Sequence, residues 1–123
     1  MIAEEIAALN IPEVKVFFNH IYELKKGVRR MALYTTLKKN QTFVVARLKS
    51  QNICYEIQEI DECRINVFMG CDACIDVVRM FIDKPLNQLT PEEDFILGAL
   101  LGYDICIQCR RFQSKKADKQ CIA

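Results

Sequence analysis

Two Cys-x-x-Cys pairs, Cys71-Asp72-Ala73-Cys74 and Cys106-Ile107-Gln108-Cys109, carry the residue types and spacing that could do chemistry in this chain. Thiols at that spacing either grip a zinc ion or run thiol–disulfide exchange. As a zinc site, Cys71, Cys74, Cys106 and Cys109 would be the four ligands, and the metal would pin the last helix to the preceding one. As a redox site, Cys71 and Cys74 would be the catalytic pair, with Cys71 attacking. The run Val67-Phe68-Met69-Gly70-Cys71 reads as a strand entering a helix, and a helix N-terminus stabilises a thiolate.

The surroundings argue for plainer roles. A thioredoxin fold needs a further hairpin and a cis-proline after the thiol-bearing helix, and here only helix and tail follow Phe81. Cys74 shares an apolar side with Val78 and Phe81, where a free cysteine serves as a small core residue. Cys106 and Cys109 fall inside a helical pattern, in which residues three apart share a side by periodicity alone. The expectation is therefore no metal and no cofactor. His20, the one histidine, has no nucleophile motif beside it and reads as structural. Glu56, Glu59, Asp61 and Glu62 surround one hairpin, as solvated carboxylates do. The glycines make no phosphate-cradling loop.

The chain has 123 residues with 17 basic and 16 acidic side chains, so one domain with its own core is expected, numbered 1–123. The basic clusters Lys25-Lys26, Arg29-Arg30, Lys38-Lys39 and Lys115-Lys116 read as solvated faces, with no nucleic-acid partner. No apolar stretch reaches the roughly twenty residues that span a bilayer. Glu4 and Glu5 stand where an export signal would need positive charge. The seven cysteines are an odd number, and reduced thiols in the cytoplasm are expected. Cys121 is followed by two residues, one short of a prenylation box.

The elements follow from periodicity. Ile2–Leu9 reads as a short helical arm within residues 1–11, ended by Pro12. Val14, Val16 and Phe18 alternate as a strand, continued by His20, Tyr22 and Leu24. Gly27 supplies a turn, and Val28–Leu37 is the return strand. Asn40–Gln51 is a helix with Asn40 as its cap. Ile53, Tyr55 and Ile57 form a half-buried strand, and Asp61-Glu62 turns into a strand with Ile65, Val67 and Met69 inward. A helix follows Gly70, with Cys74, Val77, Val78, Phe81 and Ile82 on one side. Thr90-Pro91-Glu92-Glu93 is a capping box. It opens a last helix expected to run to about Phe112, leaving 113–123 as a flexible tail. The order β-β-α-β-β-α-α predicts an α+β two-layer sandwich: a four-stranded, mainly antiparallel sheet with helices on one face.

The last helix is apolar on two sides. Phe95, Gly98, Gly102, Ile105, Cys109 and Phe112 share one, and Ile96, Leu100, Tyr103 and Ile107 make the other. A helix of that kind in a small domain is sunk in the core or shared with a partner. The first six residues are the candidate interface, and the expected partner is a protein, with a homodimer as the first case.

Asn19-His20-Ile21-Tyr22-Glu23-Leu24-Lys25-Lys26-Gly27, Tyr55-Glu56-Ile57-Gln58-Glu59-Ile60, Arg64-Ile65-Asn66-Val67-Phe68 and Leu89-Thr90-Pro91-Glu92-Glu93-Asp94-Phe95-Ile96-Leu97-Gly98 together resemble a small family of uncharacterised bacterial proteins of about this length, a domain of unknown function. The resemblance covers Pro12 to Phe112. It implies a compact α+β domain of bacterial origin, assigns no catalytic residues, and points to a redox protein such as a flavodoxin as a partner. On the residues themselves the function expected is a non-enzymatic protein-binding or regulatory domain. The alternatives are a thiol-redox protein using Cys71 and Cys74 and a zinc-stabilised module using all four paired cysteines.

Overall fold

The computed structural model describes residues 11–122; the expected arm Ile2–Leu9 lies outside the described residues. The α+β class holds. The described elements are α1 (Ile11–Lys26), β1 (Met31–Leu37), α2 (Gln41–Ser50), β2 (Cys54–Glu59), β3 (Arg64–Gly70), α3 (Asp72–Arg79), α4 (Pro91–Leu100) and α5 (Ile105–Ile122).

The segment read as the first strand is helix α1, so the sheet has three strands among the described residues, not four. Phe17 and Ile21 are buried, and Val14, Phe18 and Leu24 pack beside them. Positions 14, 17, 18, 21 and 24 repeat by three and four, which is a helical stripe. The alternation of Val14, Val16 and Phe18 was coincidental, and Val16 faces outward, 49 % exposed. Pro12 sits in the first turn of α1, where its missing N–H costs the helix nothing. Gly27 does adopt positive φ, at 75°, but it closes a helix, not a hairpin. The N–H of Val28 reaches back to the carbonyl of Glu23 at 3.0 Å, and that of Gly27 to Leu24 at 3.2 Å.

The strands lie in the order β1-β3-β2. Both pairings are antiparallel, with Val67 opposite Tyr34 and Ile57. On one face, Ile65, Val67 and Met69 join Ala32 and Tyr34 beneath Phe17 and Ile21 of α1 and Phe43, Val44 and Leu48 of α2. On the other, Phe68 and Met31 lie against Ile75 and Val78 of α3, Phe81, and Leu97 of α4. The expected two layers are therefore three, with helices on both faces.

That second covered face is possible because its polar side chains satisfy one another. Thr35, Asn66 and Gln58 stand in register across the sheet. The hydroxyl of Thr35 donates to Asn66 Oδ1 at 2.7 Å, and Asn66 Nδ2 donates to Gln58 Oε1 at 2.9 Å. Gln58 Nε2 then donates to the carbonyls of Ile82 and Lys84, both at 3.0 Å. A buried amide costs little once its hydrogen bonds are made. Asn40 precedes α2 but does not cap it with its side chain. Its amide bonds to the Thr36 hydroxyl at 3.0 Å instead.

The capping box of α4 forms as expected, with Thr90 Oγ1 accepting from the N–H of Glu93 and the Glu93 carboxylate from that of Thr90. The single long helix does not. Gly102, at φ 78°, ends α4 and turns the chain. Asp104 restarts it, its side chain accepting from the N–H of Ile107 at 3.1 Å. Helix α5 then continues through Ile122, beyond the expected end at Phe112. Among the described residues, no helix is long and apolar enough to cross a membrane.

Candidate functional site

The β3–α3 junction positions Cys71. Gly70 pairs with Met31 on one side and Cys54 on the other. A Cβ on Gly70 would fall 2.2 Å from the carbonyl oxygen of Arg30, so only glycine allows this approach. The N–H of Cys71 then donates to that same carbonyl at 2.9 Å. Cys71 leads directly into α3 and is exposed. Cys74 lies one turn on, half-buried against the core. Burial pushes the Cys74 thiol up, and the neighbouring Cys71 thiol pushes the same way, while Arg30 opposes them.

A cleft of about 270 Å³ opens beside Cys71, lined by Lys25, Arg29, Arg30, Asn52 and Gly70 among others. Arg29 is held by Glu23 at 3.1 Å. Arg30 is exposed. Asn52, at φ 56°, turns the chain from α2 into β2. The Cys71 thiol donates weakly to Asp72 Oδ1 at 3.8 Å. From the clusters Lys25-Lys26 and Arg29-Arg30, read from sequence as solvated faces, Lys25, Arg29 and Arg30 thus border the same cleft as Cys71. The pairing of Met31 with Gly70 brings them there, and no local pattern announces that pairing.

Cys106 and Cys109 lie on α5, both exposed. Among the described residues, no group of three or more His, Cys, Asp and Glu side chains is arranged to hold a metal ion. The four-cysteine arrangement is not assembled. His20 is on α1, its ring 6.2 Å from that of Tyr34. Its Nδ1 is buried without a hydrogen-bond partner. Burial first, and Arg29 second, hold its pKa below the usual histidine value. The hairpin carboxylates are spent on the surface: Glu56 on Arg79 at 3.0 Å, Glu59 on Lys38 at 2.9 Å, and Asp61 on Arg64 at 3.1 Å.

The candidate interface residues divide between two roles. Phe95 and Phe112 face each other, ring centroids 5.7 Å apart. Gly98 lies under Gln108, whose Oε1 would be 2.1 Å from an added Cβ. These three residues therefore join α4 to α5 within the chain. Gly102, Ile105 and Cys109 face outward. With them are Tyr103 and Ile107, 53 % and 60 % exposed. From Ile105 to Asp118, Gln108 is buried, Phe112 and Lys115 are half-buried, and the other side chains are exposed.

A family model described as "Protein of unknown function (DUF2023)" matches residues 15–115. No curated protein matches the chain.

Proposed function

We propose that this chain, which belongs to the DUF2023 family, works by binding a protein, without catalysis, and that its first partner is a second copy of itself. The observation that carries the reading is the start of α5. Tyr103, Ile105 and Ile107 are 53 %, 54 % and 60 % exposed within five residues of chain. Each large apolar side chain left in water forgoes roughly 1.5–3 kcal/mol of burial. A helix packed along one side only, beside an antiparallel neighbour, is half of a four-helix bundle. A second α4–α5 hairpin related by a twofold axis would complete it and cover the three side chains. A self-complementary surface of this kind is the commonest route to a soluble oligomer.

Sedimentation equilibrium at micromolar concentration tests the proposal. A dimer that Ile107→Asp converts to a folded monomer supports it. A wild-type monomer across that range would remove the homodimer. The same surface would then belong to a different protein, for which the redox protein implied by the family resemblance is the first to try.

A further inference from the structure

We propose that Cys71, Cys74 and the cations around them form a thiol-exchange site for small disulfides carrying carboxylates, a function separate from the α4–α5 surface. The two thiols differ in the way such a reaction needs. Cys71 is exposed and lines the cleft, and Cys74 is half-buried one helical turn further along α3, packed against the core. The ligand class follows from the lining. Lys25, Arg29 and Arg30 border the cleft. Glu23 offsets Arg29, and Asp72 stands beside Cys71. Arg30 has no ion pair among the described residues. Lys25 and Arg30 thus remain without an ion pair among the described residues, a single positive charge once Asp72 is counted, and the Arg30 guanidinium is the nearest in sequence to the strand pair that fixes the thiol. At about 270 Å³ the cleft is too small for the whole of such a disulfide, so one end of it is seated there.

The exchange runs in two displacements. The Cys71 thiolate attacks one sulfur of the incoming disulfide. The S–S bond breaks, a Cys71 mixed disulfide forms, and one thiolate leaves and takes a proton from water. Cys74 then gives its proton to water and attacks Cys71 Sγ, breaking the mixed S–S bond and expelling the second thiolate, which takes a proton back from solvent. The protein dithiol is oxidised by two electrons to a Cys71–Cys74 disulfide, and the small disulfide is reduced to two thiols. Cys71 attacks first because it is the exposed sulfur, and Cys74, less accessible to an incoming disulfide and with its thiol pushed up by burial, is left as the resolving partner.

The test uses the full chain, reduced, with oxidised glutathione as the anionic probe and hydroxyethyl disulfide as the neutral one. The Cys74→Ser variant should trap one glutathione at Cys71, located by peptide mass. The wild type should lose two thiols and retain no adduct. Oxidised glutathione should react faster than the neutral probe. That advantage should shrink in high salt, and roughly threefold or more should be lost in Arg30→Gln, whose backbone carbonyl still binds Cys71. Equal rates for the two probes, an Arg30→Gln rate unchanged in a folded protein, or adducts spread over Cys54, Cys63 and Cys106 would each overturn the proposal.

Discussion

The carboxylate of Asp94 on α4 accepts two hydrogen bonds from the guanidinium of Arg111 on α5, at 2.8 and 3.1 Å. Lys115 Nζ adds a third contact at 3.3 Å. The Asp94 side chain is 13 % exposed, so this fork works in a partly dry setting between two helices that also meet through Phe95, Gly98, Gln108 and Phe112 and through the Glu92–Lys116 ion pair. Bidentate geometry gives it direction as well as energy. It sets which turn of α5 lies over which turn of α4.

Asp94→Ala should therefore loosen α5. Arg111 is half-exposed, which discounts the pair, and a loss of about 1–2 kcal/mol is expected in urea unfolding at neutral pH. Arg111 first, and Lys115 with it, hold the Asp94 carboxyl below the usual carboxylate range. A carboxyl depressed in the folded state stabilises above its unfolded pKa, near 4. That contribution is lost as the pH falls through the folded value. The gap between wild type and variant should close below about pH 4. A gap independent of pH would mean the loss comes from packing.

Gly70→Ala should be far more damaging than its size suggests. The added carbon would meet the Arg30 carbonyl oxygen at 2.2 Å and Met31 Cα at 2.8 Å, both backbone atoms that cannot swing aside. The backbone of Gly70 is also at φ 154°. A cost of roughly 3 kcal/mol or more is expected, measured as a fall in the denaturation midpoint. A fall of a few tenths would show that β1 and β3 can separate at that end.

Gln58→Ala would withdraw the amide that holds the carbonyls of Ile82 and Lys84 and would strand Asn66 beneath them. About 1–3 kcal/mol should be lost. Amide hydrogen exchange should report where: protection should fall first between Ile82 and Gln88, ahead of β3. Uniform loss of protection would show that the polar row supports the whole sheet and not one loop.

His20 is a base whose pKa is held down by burial, and next by Arg29. The unfolded chain therefore takes up its proton before the folded one does. Stability at this position is complete above the unfolded value, near 6.5, and falls as the pH drops from there toward the folded pKa. Protonation at Nδ1 would put a charge where the structure offers no acceptor. In His20→Phe, which keeps a ring against Tyr34, the loss of stability between pH 7.5 and 5.5 should be smaller than in wild type. Equal losses in the two proteins would assign the acid sensitivity to the carboxylates.

The sequence was most readable where one local rule sufficed. The β2–β3 hairpin and the Thr90–Glu93 box each depend on residues a few positions apart. The helix after Gly70 was read too long, since Phe81 and Ile82 lie beyond its end at Arg79, and its buried Ile75 was missed. Helix α1 was misread because Val14, Val16, Phe18, His20, Tyr22 and Leu24 satisfy a period of two, while the two buried residues, Phe17 and Ile21, lie at odd positions that the alternation passes over. The second covered face was hidden because Asn66 and Gln58 look solvated until Thr35 and the Ile82–Lys84 carbonyls are brought to them. Gly102 was read as one position on an apolar side of a single long helix, and the restart at Asp104 was not seen. Together they end one helix and start another. At Cys71 the thiol pair was legible and its cations were not, because the neighbour of Gly70 in space is Met31, thirty-nine positions earlier in the chain.

The strand in the middle of the sheet is the last of the three to be made. On a ribosome, β1 and β2 emerge with nothing to pair with, since neither borders the other. Phe17, Tyr34, Phe43 and Leu48 must wait beside them until Arg64–Gly70 clears the exit tunnel. The aromatic half of the protein thus passes through synthesis as an open, adhesive chain, and β3 converts it in one step by inserting between two strands already waiting. A nascent chain stalled before Arg64 is where holding factors would find this protein, and one released after Gly70 is where they would let it go.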